Sequence, residues 1–177
     1  GTATLTIENS KGDDDIWIYL PALRRVRRLL ASNKKDSFVG TDFSYGDIIG
    51  FRVERWHHII LRSEPVDGAP CFVVESTPAV AAARDESGYS KRVQWIRADN
   101  FVTVKGAYYD TDNRLWKSYK ASELALVDQA QNRWQPMRME MDDVQSGHKT
   151  VLQLENFKAN QGLADELFTA RALTREP

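Results

Sequence analysis

Trp134-Gln135-Pro136-Met137-Arg138-Met139-Glu140-Met141 repeats with a period of two: three methionines fall on one side of an extended chain, and Arg138 and Glu140 fall on the other. The next apolar stretch keeps the same rule, with Leu152 and Leu154 alternating with Gln153 and Glu155. Between them, Gln145-Ser146-Gly147-His148 supplies turn formers. The two stretches therefore read as strands over 134–141 and 150–157 of one hairpin that shares a single apolar face.

The same period recurs upstream. Ala3, Leu5 and Ile7 alternate with Thr2, Thr4 and Thr6, and after the turn formers of 8–15 the run Ile16-Trp17-Ile18-Tyr19-Leu20 is apolar on both faces, which predicts a meander hairpin. Pro21 cannot donate a ladder hydrogen bond and interrupts the sheet before 24–30 resumes in extended or short helical form. Residues 31–50 show no period, and Gly40, Gly46 and Gly50 break any helix, so a loop with short helical turns is expected there, anchored by Phe38, Phe43 and Tyr45. Further strands are predicted over 55–62, 71–76, 91–97 and 101–109, with one long strand over 115–127 and the best helix over 163–173, opened by Gly162. No fixed-period repeat and no Pro/Gly/Ser linker divides the chain, which predicts one sheet-rich domain over 1–177. The strand over 2–7 carries threonines but no Lys or Pro to blunt an edge, so it should pair on both sides within the chain or recruit a neighbouring molecule.

Composition narrows the function. Lys and Arg number 24 against 25 Asp and Glu, and a net charge of −1 gives no general attraction to nucleic acid, which is not expected as a partner. The one cysteine sits in Cys71-Phe72-Val73-Val74 and reads as a small buried hydrophobe. No apolar run approaches the ~20 residues of a membrane-spanning helix, so any membrane contact is expected to be transient. Gly1 leads straight into a strand with no initiator Met and no leader, which reads as a processed or trimmed piece.

Chemistry finds little support. His57 and His58 are adjacent and point to opposite faces of a strand, and Asp13-Asp14-Asp15 lacks the alternating spacing of a calcium loop, so neither a metal nor any other cofactor is expected. Gly40-Thr41-Asp42-Phe43-Ser44-Tyr45-Gly46 contains neither a nucleophile elbow nor a phosphate-cradling loop. Two carboxylates meeting in space could still serve a hydrolase acting on lipid or glycan. Arg24, Arg25, Arg27 and Arg28 form the dense basic patch; Asp36, Asp42 and Asp47 are available to pair with them, and the patch otherwise suits lipid headgroups or an anionic partner. The methionine face permits either ordinary core filling or the wall of a pocket for ligands of variable shape. In the second case the lining would come from Met137, Met139, Met141, Leu152 and Leu154, with the loop aromatics Phe38 and Phe43.

Two segments together resemble a known family: the run from Asp15-Ile16-Trp17-Ile18-Tyr19-Leu20-Pro21 to Arg28, and Ser37-Phe38-Val39-Gly40-Thr41-Asp42-Phe43-Ser44-Tyr45-Gly46-Asp47-Ile48. With Tyr109-Asp110, Lys117, Met137-Arg138-Met139-Glu140-Met141, Gly147-His148-Lys149-Thr150 and Leu167-Phe168-Thr169, they are similar to the LolA-like outer membrane lipoprotein-sorting proteins. The resemblance implies a mainly β (α+β) fold, an incomplete antiparallel β-barrel or half-barrel with short helices as a lid over an apolar cavity. It also implies a non-catalytic periplasmic carrier of acyl lipid or of lipoprotein acyl chains. Relatives of this branch accompany inner-membrane exporters of the resistance-nodulation-division type, which makes such an exporter an expected partner, either of a carrier or of an adaptor that binds no lipid. Relatives also carry further elements before the point that matches Gly1, which the present chain is expected to lack.

Overall fold

Period-two alternation and turn chemistry recur along most of the chain, and in the computed structural model, which describes residues 1–9 and 13–174, they yield ten strands in two antiparallel sheets. The chain divides into two compact units, residues 1–34 with 160–177 and residues 35–159.

In the first unit β1 (Ala3–Ile7), β2 (Asp15–Leu20) and β3 (Arg25–Leu29) form a meander with β2 in the centre. The central position explains why β2 is apolar on both faces, with Ile16 and Ile18 buried and Trp17 opposite Leu5. Pro21 ends β2 in a 3₁₀ turn (Pro21–Leu23), closed by Arg24 in the left-handed region at φ 49°. Among the described residues β1 has β2 as its single strand neighbour, so of the two expected alternatives, pairing on both sides within the chain is not the one found. The predicted helix over 163–173 does not form. Two 3₁₀ turns, Asp165–Leu167 and Ala172–Thr174, stand in its place. Its residues are good helix formers, but so short a helix is marginal in water unless its apolar face is packed, and Leu163, Leu167 and Phe168 all lie exposed.

The second unit is a seven-stranded meander in the order β10-β9-β8-β7-β6-β5-β4, in which every neighbouring pair is antiparallel. Its strands are β4 (Trp56–Val66), β5 (Ala69–Pro78), β6 (Lys91–Arg97), β7 (Thr103–Tyr109), β8 (Leu115–Asp128), β9 (Arg133–Asp143) and β10 (His148–Gln153). The sheet does not close into a barrel, in line with the expected half-barrel. Register shifts interrupt the ladders between Ile60 and Arg62, Trp95 and Ile96, Tyr108 and Tyr109, and Leu126 and Asp128. An extra residue in one strand sharpens local twist, so these shifts bend the sheet along its width.

Two short helices accompany this sheet: α1 (Tyr45–Ile49) inside the expected loop, and α2 (Ala81–Ser87), which the strand pattern does not announce. The sequence signal for α2 is Ala81-Ala82-Ala83-Arg84 followed by Gly88, which takes the left-handed cap at φ 71°. Phe43 and Ala83, beside and within these helices, pack with Trp56, Tyr108 and Met141 of the sheet and with Tyr89, between α2 and β6, as one core cluster. Cys71, Val73, Trp95 and Val104 form another; Trp95 alternates with Gln94 along β6 and so faces the opposite side. Cys71 is buried there, as its apolar neighbours predict.

At five residues α1 cannot persist alone, and its place is set by Asp47. Ser44 caps the helix, its hydroxyl accepting from the Asp47 N–H at 3.1 Å while the Asp47 carboxylate accepts from the Ser44 N–H at 2.8 Å. The same carboxylate accepts from the Tyr89 hydroxyl at 2.9 and 3.0 Å and lies 3.6 Å from Lys117 Nζ, both side chains of that pair being buried. Removing one member of a buried pair strands the other charge, at about 3–5 kcal/mol. Asp47→Asn should therefore lower the thermal midpoint by roughly 6–20 °C for a chain of this size; an unchanged midpoint would show that the pair does not hold α1. Gly46→Ala tests a second contact of α1, its approach to Phe51. Alanine normally favours a helix by about 1 kcal/mol, but a Cβ at Gly46 runs into the Phe51 ring, an overpacking worth about 1–3 kcal/mol. No stabilisation should appear in a thermal melt, and a clear gain would contradict the seating of Phe51.

Candidate functional site

A cavity of about 340 Å³ lies between the α1 segment and the sheet of the second unit. Phe43, Asp47 and Ile48 contribute from the α1 side, and Gln94, Thr103, Tyr108, Tyr119, Gln135, Met139 and Met141 from the sheet. Strand geometry explains the gathering. Tyr119 stands opposite Met141 and Ala121 opposite Met139, while Leu152 stands opposite Met139 on β10, so these side chains share one face. Phe43 meets Tyr119 edge to face with ring centres 6.5 Å apart.

Of the seven lining residues expected from sequence, Phe43, Met139 and Met141 border this cavity. Phe38 and Leu152 pack against the same cluster without bordering the cavity, Phe38 meeting Tyr45 edge to face at 5.4 Å. Met137 and Leu154 lie farther along the same face, where the Leu154 N–H donates to the Met137 carbonyl at 2.8 Å, and they do not border the cavity. Sequence reasoning missed the polar part of the wall. Gln94 alternates with Val93 and Trp95 and so reads as solvent-facing on a half-buried strand, but this sheet carries a buried cluster on each face.

Three phenols give this region its electrical character. Burial pushes the Tyr119 hydroxyl up to about 12. It also raises Tyr108 and Tyr89 well above the ordinary phenol value, and the nearby Asp47 carboxylate adds to both shifts. All three are neutral donors at ordinary pH. Lys117 sits over the Trp116 ring at 4.5 Å, its charge answered by Asp47.

The loop over 37–44 is tied to β10. Its Asp42 N–H donates to the Thr150 hydroxyl at 3.0 Å, and its carboxylate accepts from that hydroxyl at 2.6 Å and contacts His148 Nδ1 at 2.7 Å. Asp42 and Asp47 thus serve His148 and Lys117 rather than the arginine patch. Of that patch, Arg28 pairs with Asp15, and all four arginines are exposed.

Neither His contact assembles a hydrolytic site. His58 has its ring nitrogens against Ser76 Oγ at 2.8 Å and the Val53 carbonyl at 3.1 Å, with Ser76 buried, and Thr150 bonds to Asp42 rather than to His148. Among the described residues no three His, Cys, Asp or Glu side chains gather closely enough to hold a metal ion. No helix there is long and apolar enough to cross a membrane.

A family model described as an uncharacterized protein matches residues 1–175. No curated protein matches the chain. Among solved structures, a domain from Vibrio parahaemolyticus described as an outer membrane lipoprotein-sorting protein is 31% identical, with a TM-score of 0.86 over 98% of this chain and 72% of its own. A DUF1329 family protein from Desulfovibrio piger is 33% identical, with a TM-score of 0.83 over 98% and 71%. A LolA superfamily protein from Nitrosomonas europaea is 26% identical, with a TM-score of 0.60 over 88% and 66%. With more than 30% identity along almost its whole length to two of these, this chain belongs to the LolA-like family of outer membrane lipoprotein-sorting proteins.

Proposed function

We propose that the chain is a non-catalytic periplasmic carrier that takes an acyl chain of a lipid or lipoprotein into the cavity beneath α1. The observation that carries this reading is the wall itself, in which Phe43, Met139 and Met141 converge on one hollow from opposite ends of the unit, and the one carboxylate that borders it, Asp47, is engaged by Lys117. Each methylene buried there contributes roughly 0.8 kcal/mol, so about six of them give roughly 5 kcal/mol, enough to hold a chain and weak enough to release it. Met137 and Leu154 would extend the same face for a longer chain, with Phe38 and Leu152 backing the wall. We further read the two units as one LolA-like domain, because single relatives align across 98% of the chain. On the first unit, the exposed Arg24, Arg25 and Arg27, with Arg28 held by Asp15, would meet headgroups or an anionic surface of an inner-membrane exporter.

Native mass spectrometry of the purified protein should reveal bound lipid, and a fluorescent fatty acid should be taken up in competition with it. Met139→Glu, which places a carboxylate in the apolar wall, should weaken that uptake at least tenfold, about 1.4 kcal/mol, with the fold retained by circular dichroism. Protein that carries no lipid and takes up none would overturn the carrier reading.

A further inference from the structure

The cavity has a charged neighbour that no side chain answers. Arg92 lies on β6, on the same face as Gln94 and directly opposite Tyr108 in the β6–β7 register, and both of those residues border the cavity. Its guanidinium carbon sits 4.0 Å from the Trp56 ring centre and 5.0 Å from that of Phe51. The Nε of Arg92 is buried with no hydrogen-bond partner, and among the described residues no carboxylate pairs with this arginine. The Asp47 carboxylate is near enough to act on it electrostatically but is already engaged by Ser44, Tyr89 and Lys117.

Two aromatic rings lie near the guanidinium charge but offer its planar fork of N–H groups no oxygen acceptor, and its Nε is left unpartnered. Such a fork fits the two oxygens of a carboxylate or phosphate, and in a partly dry site it binds them far better than in water. Burial already works against the charge, pulling the group below its ordinary value, yet a guanidinium keeps its proton. A retained, unanswered buried donor beside an apolar cavity calls for an anion from outside the chain. The apolar wall of Phe43, Met139 and Met141 next to it says what that anion is attached to.

We propose that Arg92 is the headgroup subsite of this cavity, pairing with the oxyanion, carboxylate or phosphate, of an acidic amphiphile whose chain lies along the methionine wall. The proposal rests on the carrier reading and adds a selectivity to it: acidic amphiphiles are taken in preference to neutral ones of equal chain length. Gln94 and Tyr108, both bordering the cavity, are the polar residues nearest to Arg92 in the β6–β7 register.

Titration calorimetry with dodecanoate, dodecyl phosphate and dodecanol, alongside acetate and inorganic phosphate, tests this directly. Wild-type protein should bind one or both acidic amphiphiles at least tenfold more tightly than dodecanol, and the chainless anions far more weakly. Arg92→Met, which keeps apolar volume between Trp56 and Phe51, should erase that preference while leaving dodecanol affinity within about twofold; Arg92→Lys should keep part of it. Equal binding of all three amphiphiles by the wild type overturns the subsite and leaves the carrier standing, whereas binding of none overturns both. Acetate or inorganic phosphate binding as tightly as the amphiphiles marks a small-anion site and overturns the lipid assignment. If Arg92→Met weakens all three alike, the arginine is structural and the proposal fails. Should that variant not fold, the wild-type preference and its retention in Arg92→Lys decide the matter.

Discussion

One carboxylate holds the roof of the cavity in place. Asp47 closes the cap of a five-residue helix, accepts the Tyr89 hydroxyl and answers the buried charge of Lys117, so a local structural motif and a tertiary contact share the same two oxygens. Helices this short draw their stability from what they touch. Phe43 lies just before α1 and Ile48 within it, and both reach the cavity because that helix is fixed. The loop over 37–44 has its own tether through Asp42 to Thr150 and His148, so the α1 segment is attached to β8 through Lys117 and to β10 through Asp42.

The sheet beneath is shaped by backbone as much as by side chains. Four register shifts interrupt its six ladders, and each adds twist where an extra residue enters. A flat meander of this width would offer α1 a plane to lie on; a bent one leaves a hollow. Both faces are covered, by the cluster around Tyr89 and Met141 on one side and by that around Val73 and Trp95 on the other. For that reason the simple rule of apolar inside and polar outside describes β9 well and β6 poorly.

The strands were legible because their signal is local: Met137 to Met141, Leu152 to Leu154 and the long run that became β8 declare their faces two residues at a time. The terminal helix was misjudged because propensity is also local, whereas a helix of that length needs a partner that Leu167 and Phe168 do not have. α2 escaped for the opposite reason, its signal being a brief alanine run and a closing glycine among stronger strand patterns. The methionines of the cavity could be named from sequence, but where the cavity stops could not, since Met137 and Met139 look alike until the position of α1 is known. Arg92 and Gln94 were invisible as site residues because what covers them, Phe51 and Trp56 for the arginine, arrives from more than thirty positions away.

The raised phenols of Tyr89, Tyr108 and Tyr119 have a consequence for how the cavity responds to acidity. Together with a guanidinium that never gives up its proton, they make this part of the wall an electrically constant background across the range of pH in which cells live. These groups do not read acidity; an acidic ligand would. An acidic amphiphile arriving near its own titration point would present itself as charged or neutral according to the surrounding medium, and the fixed background would register that change without altering itself. If such an amphiphile is what the cavity takes, the pH dependence of loading would follow the titration of the amphiphile rather than that of the phenols around it.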